Sequence, residues 1–186
     1  DHSDAMGARD AGWIQIYAEN NQEVYDNYVQ AFPIAEAVRL PVMICMDGFI
    51  TSHAVENIEL LEDGEVKNFV GGYHPEHSLL KAGETMAVGP YDVTHYYFEH
   101  KKQEAEAMKD AKQAILDQGK RFGAQFGRTY GFFEEYCMED AEEALVLIGS
   151  TAGTAKAAVD QLRAQGKKVG LLKIRCMRPF PAKEIV

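Results

Sequence analysis

The chain opens on Asp1-His2-Ser3-Asp4-Ala5-Met6-Gly7-Ala8-Arg9-Asp10, which packs three acids, an imidazole and a guanidinium into ten residues. Such density suits a polar loop beside a charged ligand, where Arg9 could pair a carboxylate. The same residues would equally make a solvated loop in which Asp4 or Asp10 caps or pairs with Arg9, and the spacing alone defines no acid–base couple. A second constellation is Asp47-Gly48-Phe49-Ile50-Thr51-Ser52-His53, directly after the apolar run Pro41–Met46. It lies just past the carboxyl end of a strand, where open α/β sheets place ligands, so Asp47, Thr51 and His53 are candidates for a ligand-side loop. The alternative is a loop held by the hydrogen bonds of Thr51, Ser52 and His53 themselves.

Three further motifs read as structural. His74-Pro75-Glu76-His77, with His95 or His100, has metal-ligand residue types, but Pro75 and the flanking glycines point to a surface turn without a third ligand at a committed spacing. Gly149-Ser150-Thr151-Ala152-Gly153-Thr154 could offer amides to a phosphate. It lacks the lysine of a phosphate-binding loop and the three-glycine dinucleotide spacing. A strand-to-helix turn capped by Ser150 or Thr151 is the better reading. Cys45, Cys137 and Cys176 stand alone, which excludes a disulfide framework and a self-contained iron–sulfur site and suits a reduced, cytoplasmic chain with inert core thiols.

Periodicity supplies the elements that would position these groups. Trp13–Ala18 reads as a strand, a helix capped by Asn20 or Asn21 runs to about Leu40, and Pro41–Asp47 is a buried parallel strand, together one βαβ unit. Pro33 should kink or divide that helix. Residues 48–94 form a glycine- and proline-punctuated excursion without a long periodic run. A charged helix with a narrow apolar stripe follows from about Tyr96 to Phe122, ending near Gly123. Then Ala144–Ile148 reads as a buried strand, about Thr154–Gln165 as a helix closed by Gly166, and Lys168–Ile174 as the next strand. This second βαβ unit implies a second parallel sheet, and Pro181–Val186 looks like the start of another helix.

Composition bounds the function classes. With 19 basic and 29 acidic residues the net charge is −10, so nothing neutralises phosphates wholesale and a nucleic-acid partner is excluded. The 46% hydrophobic content, spread along the chain, supports a buried core rather than a disordered acidic tail. No apolar run approaches the ~18–20 residues of a membrane span. The start at Asp1 suggests a piece of a longer chain.

Three blocks carry a family resemblance: Asp1 to Gln15, Met46 to His53, and Lys173-Ile-Arg-Cys-Met-Arg-Pro-Phe-Pro181. In this order and spacing they resemble the alpha subunit of pyruvate:ferredoxin (2-oxoacid:acceptor) oxidoreductase over essentially the whole chain. The resemblance implies an α/β fold of two partial parallel-sheet βαβ domains. Residues 1–125 would be the later part of the domain holding the pyrimidine end of thiamine diphosphate, with its connecting helix. Residues 126–186 would open a domain similar to the C-terminal domain of transketolase.

The implied reaction is coenzyme A-dependent oxidative decarboxylation of pyruvate to acetyl-CoA and CO2. Thiamine diphosphate with Mg2+ would serve as electron sink, [4Fe-4S] clusters on other domains or subunits would carry the electrons, and ferredoxin or flavodoxin would accept them. Partners would be the other subunits of the complex. The activating glutamate, the Tyr-Pro-Ile-Thr-Pro substrate loop and a substrate-binding arginine belong, by the resemblance, before Asp1. The diphosphate and Mg2+ ligands belong to other parts of the enzyme. Asp1, His2, Ser3, Asp4 and Arg9 are therefore expected to support the substrate pocket without catalytic roles, and the piece alone is expected to be inactive. Alternatives are the same chemistry on another 2-oxoacid such as 2-oxoisovalerate, or a non-catalytic interface module.

Overall fold

The computed structural model describes residues 2–89 and 91–186. A short helix, α1 (Ser3–Gly7), precedes strand β1 (Ile14–Tyr17), helix α2 (Asn21–Val38) and strand β2 (Val42–Cys45). The opening acidic segment is thus helical around Asp4, not the polar loop expected. Asn20 caps α2, its side-chain oxygen accepting the Glu23 amide at 2.9 Å. Pro33 does not divide α2, which remains one helix with Val29 and Ile34 buried on either side of it. Burial of that face outweighs the single amide that proline withholds. Strands β1 and β2 pair in parallel, Ile14 opposite Val42, completing the first βαβ unit.

Helix α3 (Asp63–Val70) interrupts the excursion and buries Phe69. Its length of 8 residues, with Gly64 inside, is too short to show a helical period in sequence. Helix α4 (Tyr97–Phe126) runs 30 residues and is capped by Gly127 in the left-handed region, φ +77°, rather than ending near Gly123. Its buried stripe of Met108, Ala111, Ile115, Gly119 and Phe122 packs along α2 and the aromatic cluster around Phe69.

The chain then turns back along α4 and forms β3 (Phe133–Tyr136), β4 (Glu143–Leu147), α5 (Thr151–Ala164), β5 (Val169–Ile174), β6 (Cys176–Arg178) and α6 (Ala182–Ile185). Two three-stranded sheets result, ordered β2-β1-β6 and β3-β5-β4. The α/β class and both βαβ units hold, but each sheet is mixed: β3 runs antiparallel to β5, and β6 antiparallel to β1. Residues 176–178 therefore complete the sheet begun at residue 14. Strand β4 is mostly exposed, with Leu145 49% and Val146 63% accessible, which corrects the buried strand expected there. It is an edge strand, paired only with β5 among the described residues.

The return of the chain after α4 is fixed by Asp26 of α2, which is fully buried. Arg128 grips it bidentately, Nε to Oδ2 at 2.7 Å and Nη2 to Oδ1 at 2.9 Å, and the Tyr130 hydroxyl donates to Oδ2 at 2.5 Å. Burial and the Asp26 carboxylate push the Tyr130 phenol well above its ordinary range, so it remains a donor.

Candidate functional site at the carboxyl ends of β1 and β2

Strands β1 and β2 end side by side at Tyr17 and Cys45, and the chain leaves β2 through Met46 into Asp47. The Asp47 side chain turns toward the start of α5. Its Oδ2 accepts the Ser150 amide at the start of α5, and its Oδ1 lies 2.6 Å from His2 Nε2, an ion-pair distance without hydrogen-bond alignment. The His2 ring stands edge-on to Tyr17, centroids 4.8 Å apart at 85°. Gly149, at φ +67°, makes the approach feasible: a Cβ there would sit 2.6 Å from Asp47 Oδ2 and 3.1 Å from His2 Nε2.

Desolvation pushes the Asp47 carboxyl up, but the Ser150 hydrogen bonds and the neighbouring His2 outweigh it and hold its pKa below the ordinary range. A carboxylate depressed in this way contributes stability through neutral pH and loses it as pH falls through the depressed value. Asp47 thereby caps a helix 103 residues away in sequence, and α5 begins at Thr151, three residues earlier than expected. Ser150 makes no side-chain cap bond, so the cap expected from Ser150 or Thr151 comes from Asp47 instead.

Beside this contact lies an open cleft of about 490 Å³, lined by His2, Asp4, Ala5, Met43, Cys45 and Met46 among others. Burial pushes the Cys45 thiol up to about 11 and raises the Tyr17 phenol further, so both stay neutral. Cys176 is likewise pushed by burial up to about 12, and its thiol donates to the Arg178 and Pro179 carbonyls at 3.3 and 3.4 Å. Both are inert core thiols, as their isolated spacing suggested.

Residues 1–119 match the family model for the pyruvate flavodoxin/ferredoxin oxidoreductase, thiamine diphosphate-binding, and residues 141–186 match the pyruvate:ferredoxin oxidoreductase core domain II. The chain belongs to the pyruvate flavodoxin/ferredoxin oxidoreductase family. It is 51% identical to the pyruvate synthase subunit PorA of Thermotoga maritima over its whole length, covering 48% of that protein. It is 44% identical to PorA of Methanocaldococcus jannaschii, of which it covers 49%, and 41% identical to the ketoisovalerate oxidoreductase subunit VorA of Pyrococcus abyssi, of which it covers 47%. The chain thus spans about half the length of the curated relatives it matches. A solved 2-oxoglutarate:ferredoxin oxidoreductase from Magnetococcus marinus, with 2-oxoglutarate, coenzyme A and succinyl-CoA bound, shares the fold. The TM-score is 0.58 at 17% identity, covering 93% of this chain and 32% of that one.

Within this oxidoreductase-family chain the sequence candidates separate. His2 and Asp47, 45 positions apart, come together, whereas Asp1 lies outside the described residues. Ser3 opens α1, and Asp4 lies at the cleft, where Oδ1 accepts the Ala5 amide at 2.7 Å. Arg9 is exposed and pairs with its neighbour Asp10 at 3.3 Å, the local alternative. Thr51 is buried, its amide donating to the Asp47 carbonyl at 3.2 Å. His53 is not part of the cluster: Nδ1 is 2.7 Å from Ser52 Oγ and the ring stacks on exposed Phe49. That pairing matches the self-supported loop.

A charged cluster escaped the sequence reading altogether. Glu19, Glu23 and Glu134 converge closely enough to hold a cation, but the Lys173 ammonium lies among them, 2.6 Å from Glu19 and 2.7 Å from Glu23. It also pairs with Glu134, and Lys156 adds contacts to Glu19 at 2.9 Å and Glu134 at 2.7 Å. The positive charge a metal would supply is already present. The signal was Lys173 itself, the one charge inside the apolar run Val169–Ile174.

Proposed function

We propose that the chain is part of a subunit of a thiamine-dependent 2-oxoacid oxidoreductase that converts pyruvate and coenzyme A to acetyl-CoA and CO2 and passes the electrons to ferredoxin or flavodoxin. What carries this reading is the match of 1–119 to the thiamine diphosphate-binding family model, joined to 51% identity with a pyruvate synthase subunit along the entire chain. On this reading residues 1–125 belong to the thiamine-type domain and 126–186 to the transketolase C-terminal-like domain, with β6 reaching back across that division. The family-model matches, 1–119 and 141–186, support a division in that region.

Thiamine diphosphate, when bound, supplies the electron sink for decarboxylation. The described cleft suits only the flank of such a group. Its lining is apolar at Ala5, Met43 and Met46 and acidic at Asp4, with no lysine or arginine among its lining residues. A lining without lysine or arginine offers a diphosphate no cationic partner, and on this reading the diphosphate, its Mg2+ and the iron–sulfur clusters are held by other segments or subunits. On this side His2 lines the cleft and lies against Asp47, which is joined to the start of α5. No helix among the described residues is long and apolar enough to cross a membrane.

The test is the full-length subunit assembled with its partner subunits, thiamine diphosphate and Mg2+, assayed by viologen reduction. Pyruvate should give the highest kcat/KM, dependent on coenzyme A. A preference of about tenfold or more for 2-oxoisovalerate, ~1.4 kcal/mol of discrimination, would move the chain to the ketoisovalerate branch. No turnover of any 2-oxoacid by an assembled complex would leave an interface module.

A further inference from the structure

The contact at Asp47 joins three pieces of chain that are remote in sequence: the segment before α1, the end of β2, and the turn into α5. We propose that Asp47 is a positioning residue that sets the second βαβ unit against the loop leaving β2, with His2 bracing the carboxylate. The proposal rests on the oxidoreductase reading above, because its effect on turnover is read in that reaction.

Four observations carry it. The Asp47 side chain is 13% exposed, so it needs compensating donors, and the Ser150 amide it accepts from belongs to the other unit. That amide opens a 14-residue helix, whose amino end favours a carboxylate. Gly149 is shaped for the approach from the opposite side, since its left-handed φ and the 2.6 Å gap admit no side chain. Finally, the Asp47 main-chain carbonyl accepts the amides of Thr51 and Ser52, at 3.2 and 3.1 Å. One residue thus holds α5 by its side chain and the loop after β2 by its backbone. A shift of α5 is passed to the strand end where α/β sheets bind ligands. Lys156 ties α5 to Glu19 at 2.9 Å, but that second tie does not reach the loop.

The experiment uses the assembled full-length complex with Asp47→Ala and Asp47→Asn. Removing the carboxylate should lower kcat for 2-oxoacid-dependent viologen reduction about ten- to a hundredfold, with KM for the 2-oxoacid within about twofold, because geometry and not ground-state binding is lost. Hydrogen exchange at the amides of Ser150, Thr51 and Ser52 should quicken about tenfold or more while β1 amides keep their rates. Asparagine retains an oxygen for the Ser150 amide and should recover at least half of the kcat loss on a logarithmic scale. The proposal is overturned by unchanged exchange at Ser150, by a KM rise with kcat intact, or by an asparagine variant as impaired as alanine. If Asp47→Ala does not assemble, Gly149→Ala presses on the same contact from the other side and should reproduce both effects; wild-type exchange in that variant overturns the proposal too. A wild-type complex inactive on every 2-oxoacid overturns the functional reading instead, and the exchange comparison still decides the role of Asp47.

Discussion

Gly119→Ala is expected to destabilise the full-length subunit by about 3 kcal/mol or more, although alanine is the better helix former by about 1 kcal/mol. A Cβ at Gly119 would lie 1.9 Å from the Tyr130 carbonyl oxygen and 3.0 Å from its carbonyl carbon. Those atoms are backbone and cannot rotate away, unlike the end of a flexible side chain. Relief would need the returning segment to lift off α4. That segment carries Arg128 and Tyr130, whose bonds to buried Asp26 would lengthen with it, so overpacking and a broken polar network add. Gly123 one turn on is crowded too, but chiefly by a side chain: its Cβ position lies 2.1 Å from Thr129 Oγ1, with Thr129 Cα at 3.0 Å. Gly64 in α3 is the control: nothing lies within 4 Å of its Cβ position, so Gly64→Ala should be neutral or stabilising by up to about 1 kcal/mol. Urea unfolding of the three proteins decides the matter. Equal midpoints for the Gly119 and Gly64 variants would sink the idea that this close approach fixes the chain's return.

Elements that carry their own signal are legible in the sequence. Asn20 caps α2 as its residue type predicts, and the apolar runs at 14–17, 42–45 and 169–174 become β1, β2 and β5. What escaped depends on remote partners. Strands β3 and β6 are short and contain Glu134, Glu135 and Arg178; Glu134 is met by Lys173 of β5 and Lys156 of α5, Glu135 is exposed, and Arg178 lies 4.0 Å from Asp10. The early start of α5 comes from Asp47, which no local capping rule could foresee. At the site, Asp47 and His2 stood out by type and by family resemblance, but their meeting with Ser150 is a product of the tertiary fold. His53 shows the converse, an eye-catching residue whose bonds are local. The Asp26–Arg128–Tyr130 and Lys173 networks were hidden because isolated charges read as solvated surface until their burial is known.

Replacing Lys173 with methionine should produce the second large effect, a loss of about 3–5 kcal/mol, because it strands carboxylates whose counter-charge is buried with them. Lys173 is 1% exposed, and its ammonium is shared by Glu19, Glu23 and Glu134. Burial alone would depress its pKa, but Glu23 and the hydrogen bonds to the three carboxylates outweigh that and raise it. Glu134 behaves in mirror image: desolvation pushes it up, Lys156 and Lys173 pull it further down, and the result is depressed. The wild-type network is therefore intact between these limits. It loses the Glu134 contribution as pH falls through that depressed value and the Lys173 contribution as pH rises through the raised one. In Lys173→Met only Lys156, and Arg175 at 3.9 Å from Glu23, remain to balance the three acids. The stranded carboxyls should then take up protons more readily in the folded state, so the variant loses stability as pH rises from acid toward neutral. Urea midpoints of both full-length proteins at about pH 5 and about pH 8 should show a gap that widens at the higher pH. Adding Glu23→Gln removes one stranded charge while keeping an oxygen for the Glu19 amide it now accepts at 2.9 Å. The double variant should recover at least about 1 kcal/mol, a coupling typical of residues in one buried network. A gap that is the same at both pH values, with no recovery in the double variant, would show that Lys173 contributes packing and not charge to the junction between the two sheets.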